Sequence, residues 1–145
     1  MALRDEIMTI ETEIKSVFPD ATFYRQNMPL KHKPHEITIE ALSSEMKTET
    51  TYHNTRSRPF RVCYFGTSEI AVMEAMEKLE FLFLDRLKIA VSGGHFLSIA
   101  DFSFSQGFET ETEGVYCAIG ILKVTSNEAR TQHEYEKIRS VSYGL

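Results

Sequence analysis

Residues 67–87, TSEIAVMEAMEKLEFLFLDRL, decide how the rest of the chain is read. Val72, Met76, Leu79, Phe83 and Leu87 recur at steps of three or four, which stacks them on one face of a helix. Thr67 or Ser68 supplies an N-cap, and Glu69 puts a negative charge in the first turn, where the helix dipole favours it. Glu74, Lys78 and Asp85 fall on the opposite side, toward water. Ile70 and Phe81 lie well off the main stripe, and Glu80 lies near it. A helix that is apolar on more than one flank is usually covered on both. The domain's own sheet accounts for one flank here. A loop, the other helix or a second subunit accounts for the other.

Upstream, a second amphipathic helix is predicted over residues 3–18, with Leu3, Ile7, Ile10, Ile14 and Val17 as its stripe and Arg4, Asp5, Glu11 and Lys15 in water. Pro19 ends it, because proline disfavours helical backbone in the residue before it. Thr22–Arg25 is a short strand. The prolines of QNMPLKHKPH make a loop, in which His32 and His35 are expected to be solvated. EITIEA (36–41) alternates strictly, as a half-buried strand does. Residues 43–57 are polar and rich in threonine, a long hairpin arm or a flexible loop. The strand from Phe60, FRVCYFG, is apolar on both faces and reads as central.

Downstream, Lys88–Val91 leads into a turn at Gly93 and Gly94. Phe96, Ser98, Ala100, Phe102 and Phe104 are expected on one face of a strand over 95–104, and VYCAIGILKV (115–124) is the most apolar strand. These two form an antiparallel hairpin whose connection holds Glu109, Glu111 and Glu113. The expected fold is α+β: a mainly antiparallel sheet of about four to five strands packed against two helices. Residues 1–124 make one core domain that includes the arm, and 125–145 make a polar C-terminal tail that neighbouring subunits order.

The bulk properties narrow the function. A chain of 145 residues fits one core. Its longest apolar runs fall short of the ~20 residues a membrane span needs, and the N-terminus lacks the apolar core of a signal peptide. A net charge of -5 argues against nucleic-acid binding driven by bulk charge. Cys63 and Cys117 are expected as reduced, buried thiols rather than metal ligands. There is no phosphate loop, nucleophile elbow or zinc-helix motif, so no catalytic, cofactor-binding or metal-ligating residue is assigned.

Several segments together are similar to a known family. These are the first helix closing on VFPDATFY, the strand EITIEA, a polar arm entering RPFRVCYFG, the helix AVMEAMEKLEFLFLDRL and the hairpin IADFSFSQGFETETEGVYCAIGILKV. In that order they resemble the tail terminator proteins of long-tailed phages and of phage-derived tail particles, over nearly the whole chain. The resemblance implies a structural virion protein, not an enzyme and without cofactors. Such a protein forms a hexameric ring at the head-proximal end of the tail, is assembled in the host cytoplasm, and ends polymerisation of the tail tube. Its implied partners are its own copies, the tube protein, a neck or head-completion protein and, in contractile tails, the sheath. DNA would at most pass through the lumen. The contact regions are the arm (Lys47, Tyr52, Arg56, Arg58), the second helix flank (Ile70, Phe81), the hairpin tip (Glu109, Glu111, Glu113) and the tail (Tyr135, Ile138, Val141, Tyr143). The alternatives are another neck, head-closure or tail-tube protein, or a small ligand-binding or enzymatic α+β domain.

Overall fold

The computed structural model describes residues 3–26, 31–48, 53–91 and 95–129. In chain order they form α1 (Leu3–Lys15), β1 (Thr22–Arg25), β2 (Glu36–Ala41), β3 (Glu45–Thr48), β4 (His53–Gly66), α2 (Glu69–Arg86), β5 (Lys88–Val91), β6 (His95–Phe104), β7 (Phe108–Glu109) and β8 (Tyr116–Ala129). The fold is α+β, as expected, but among the described residues the sheet has eight strands rather than four or five. The additional strands are short or polar, which is why alternation of apolar residues does not reveal them.

The sheet runs β1-β2-β4-β8-β6-β5, with β3 joined to β4 and β7 to β8. β1 and β2 are parallel. The other pairs are antiparallel. β4 and β8 pair along their full length, from Gly66↔Tyr116 at one end to His53↔Ala129 at the other. α1 touches both β2 and β5, strands far apart in the sheet order, so the sheet curls around its helical layer.

Ser68 caps α2 by accepting the Ala71 N–H at 3.1 Å. Val72, Met76, Leu79 and Phe83 are buried against Phe60, Val62, Leu122 and Phe102 in one core. Leu87, the last residue of the expected stripe, is instead exposed. It adopts a positive φ of 61° as the C-cap, with its N–H donating to the Phe83 carbonyl at 3.1 Å, and this turns its side chain out of the helical row. At Gly120 a Cβ would meet the Phe102 ring at 2.7 Å and Met76 Sδ at 3.2 Å, so this site on β8 lets α2 and β6 close over the sheet.

On α1, Ile7, Ile10 and Ile14 are buried as expected, while Leu3 is exposed and Val17 half-buried beyond the helix end. Glu11 departs from expectation. It is buried because Arg25 of β1 reaches across the helix and forks onto it, Nε to Oε1 at 3.1 Å and Nη2 to Oε2 at 3.0 Å. A two-point hydrogen bond to a guanidinium compensates a carboxylate removed from water.

A second departure concerns β6. Ile99 pairs with Val124 and Asp101 with Lys123, leaving Ala100 as an extra residue. This β-bulge changes the phase of the strand. Leu97 and Ile99 therefore face the core before it and Phe102 after it, while Phe96 and Ala100 are exposed. The single face expected for Phe96, Ala100, Phe102 and Phe104 does not exist.

Candidate assembly surfaces

Ile70, Glu74, Glu77, Phe81 and Leu84 sit at successive steps of four, three, four and three along α2. That places them within one narrow stripe, opposite the core-facing residues. All five are exposed, with Ile70 at 71% and Phe81 at 73%. Within the described residues neither a loop nor α1 covers this second flank. Phe81 stands at the edge of an open groove of about 940 Å³, bounded by Ser16 and Val17 after α1 and by Glu74, Glu77 and Asp85 of α2. The two cations beside it are engaged. Lys78 Nζ lies 6.0 Å from the Phe18 ring centroid, and Arg86 pairs with Glu13 at 3.4 Å. Glu74, Glu77, Glu80 and Asp85 make no ion pair among the described residues.

The described parts of the polar segment 43–57 form two paired strands, the arms of a hairpin. β3 pairs with residues 54–57 of β4, and β8 continues to Ala129 on the other side, five residues past the expected tail boundary at 124. Thr55 Oγ1 donates to Asn127 Oδ1 at 3.2 Å, and Arg56 Nη1 donates to Ser44 Oγ at 2.9 Å. All four residues of β3 are exposed, and Lys47 pairs with Glu45 at 3.3 Å. A polar, uncovered ribbon of this kind gains little from burial and is suited to ordering against a neighbour.

Arg58 does not belong with the exposed arm residues. It is buried and bonds through Nη1 to Oε2 of the equally buried Glu6 on α1. Its position explains this: it shares a face with Phe60, Val62 and Tyr64, so the core-facing row of β4 runs on into a cation. Burial lifts the Glu6 carboxyl above the usual carboxylate range, against the opposing pull of the Arg58 charge and hydrogen bond. Among the described residues Glu6 Oε1 has no hydrogen-bond partner.

The hairpin tip carries Glu109, Glu111 and Glu113, all exposed. Thr110 shapes it, its N–H and Oγ1 both donating to the Val115 carbonyl, at 2.8 and 2.9 Å, with Gly114 at a positive φ of 81°. Tyr52, Tyr135, Ile138, Val141 and Tyr143 lie outside the described residues.

The opposite face of the sheet holds features that sequence reading missed. His32, expected in water, is half-buried and stacks on Phe65 with ring centroids 3.9 Å apart. Its Nδ1 lies 3.2 Å from Glu36 Oε1, which also accepts the Lys33 N–H at 2.8 Å. Tyr24 donates to Glu36 Oε2 at 3.2 Å, and the Glu36 charge raises its hydroxyl pKa. The signal was the acidic side chain on the supposedly wet face of β2, three residues after Lys33. Cys63 and Cys117 are buried thiols beside Phe65 and Val115. The Cys117 thiol donates to the Ala118 carbonyl at 3.6 Å, and the neighbouring Cys63 thiol together with burial raises its pKa.

No group of three His, Cys, Asp or Glu side chains is placed to hold a metal ion among the described residues, and no described helix is long and apolar enough to cross a membrane. No family model matches the chain, and no curated protein matches it significantly.

Proposed function

We propose that this chain is a ring-forming structural protein of a phage-type tail, which caps the tube, ends its polymerisation and joins it to the head-side connector. The observation that carries this reading is the second flank of α2, which no described residue covers, with Ile70 and Phe81 more than two-thirds exposed on a helix whose other flank is fully packed. Large exposed apolar side chains on one line mark an interaction surface. The polar arm is a second, chemically different surface on another part of the fold. A closed cyclic ring needs such a pair, because head-to-tail contacts join unlike faces. In this role the chain forms a homo-hexamer at the head-proximal end of the tail. It contacts the tube protein on one side, the neck or head-completion protein on the other, and the sheath where the tail is contractile. It acts without a catalytic group or cofactor.

Size-exclusion chromatography with light scattering, followed by negative-stain microscopy with tail tubes added, tests the reading. Rings, or caps on tube ends, are expected. A strict monomer at every concentration, with and without tubes, would overturn it.

A further inference from the structure

The arm is a ribbon of three strands at one level: β3, residues 53–57 of β4 and residues 125–129 of β8. β4 lies in the middle and is paired on both sides. The two outer strands are each antiparallel to β4, so they run parallel to one another. Among the described residues β3 has no strand beside it other than β4, and β6 pairs with β8 only as far as Ser98↔Thr125. Within the described residues the ribbon therefore has two open edges of equal length, Glu45–Thr48 on β3 and residues 126–129 on β8.

Alternation along the ladder fixes which main-chain groups stand on these edges. The Pro59 carbonyl accepts the Leu42 N–H, so odd-numbered residues of β4 point toward β3 and even-numbered ones toward β8. Glu45 and Lys47, opposite Ser57 and Thr55, are thus bonded to β4, while Met46 and Thr48 turn their N–H and C=O outward. On β8 the Ile119 carbonyl accepts the Ser105 N–H at 2.8 Å, on the side away from β4. Steps of two from Ile119 put the main-chain groups of Asn127 and Ala129 on the same outer side. An exposed row of this kind is a template for another strand. The two edges also fit one another. In a parallel pair, one residue bonds to the two neighbours of the residue facing it. Lys47 and Asn127 both lie opposite Thr55, so with no change of level the Asn127 N–H meets the Met46 carbonyl and the Asn127 carbonyl meets the Thr48 N–H.

We propose that the outer edge of β3 in one copy pairs, in parallel, with the outer edge of β8 in the next copy, so that the arms join into a continuous band of strands. This rests on the ring reading above and supplies the main-chain joint that the arm makes within it. Symmetry selects the unlike edges. A rotation about an axis along the ribbon leaves strand direction unchanged, so neighbours in a ring bring together parallel edges, β3 of one and β8 of the other. A two-fold dimer would instead join like edges, β3 to β3 or β8 to β8, in antiparallel pairs.

The test uses the full chain in two single variants, Lys47→Cys and Asn127→Cys, oxidised with diamide separately and as an equal mixture. Within one chain these positions lie on either side of β4, about 10 Å apart at two strand spacings, beyond the reach of a disulfide. Any bridge between them therefore joins two chains. Cys63 and Cys117 are buried, and the unaltered chain controls for them. Disulfide-linked dimers are expected in the mixture and not in either variant alone. A second measurement removes one main-chain donor. Thr48→Pro deletes an N–H that faces outward and leaves the bonds to β4 in place. Self-association is expected to weaken at least about tenfold while the urea midpoint stays unchanged. Bridges in either variant alone, no bridge in the mixture, or full association of Thr48→Pro would overturn this joint while rings still form. A chain that stays monomeric with tail tubes present overturns both the joint and the ring.

Discussion

Arg58 on β4 and Glu6 on α1 form a buried ion pair at the root of the arm, where the apolar row Phe60, Val62 and Tyr64 gives way to a cation. Removing one partner leaves the other charged and dry, so the two single variants and the double variant should behave differently. Arg58→Met is expected to cost about 3–5 kcal/mol in urea unfolding, while Glu6→Leu combined with Arg58→Met recovers most of that loss. Equal losses in the single and double variants would show that the pair matters only through packing volume.

The same carboxyl gives a pH signature. Burial raises the folded-state pKa of Glu6 above its ordinary 4.5, so the folded chain holds this proton more tightly than the unfolded chain. The stabilising contribution of the protonated group is full below that ordinary value and is lost as pH rises through the folded pKa. Unfolding of the wild type and of Glu6→Gln, followed from below pH 4.5 up to neutrality, should show the wild type losing ground to the variant as pH rises. The opposite slope would mean that Arg58 outweighs burial.

Gly120→Ala puts a methyl group into the Phe102 ring and against Met76, both of which are buried. Overpacking of this kind is expected to cost about 1–3 kcal/mol, read as a lowered urea midpoint with an unchanged slope.

Phe81→Asp should leave the isolated fold within about 0.5 kcal/mol of the wild type, since the side chain is 73% exposed and contributes little to the core. Association, followed by light scattering, should be lost. If the midpoint drops by more than that while association persists, Phe81 belongs to the core of the subunit and not to a contact.

Excising residues 43–57 tests the arm. Leu42 N–H already donates to the Pro59 carbonyl at 3.1 Å and Ala41 pairs with Phe60, so a short Asn-Gly turn can join Leu42 to Arg58 and keep the Glu6 partner. The variant is expected to retain the circular dichroism of the α+β core, to melt lower because residues 125–129 lose their partners on β4, and to fail to cap tubes.

Both helices were legible because their core faces repeat every three or four residues, and Ser68 and Pro19 mark an end of each. The central strands β4 and β8 were legible because both their faces are apolar. β3 and the outer part of β4 were not, since their residues are polar on both sides and their strand character comes only from pairing. The bulge at Ala100 was hidden for a related reason: alternation continues in the text on both sides of it, and only the partner strand shows which residue is extra. Of the candidate surface, Ile70 and Phe81 were readable as misfits on an otherwise clean helix. Arg58 was misplaced with the arm because its charge suggested water, while its position in the β4 row put it under α1.

The sequence by itself determined the class of the fold and the two-flanked character of α2, because periodicity and capping act within a few residues of chain. Tertiary structure alone decided that no described residue covers the second flank, that Arg58 and Glu11 are buried with partners, and that His32 stacks on Phe65. Each of these depends on which distant residue arrives alongside. Burial and charge pairing are set by that arrival, not by the local order of residues.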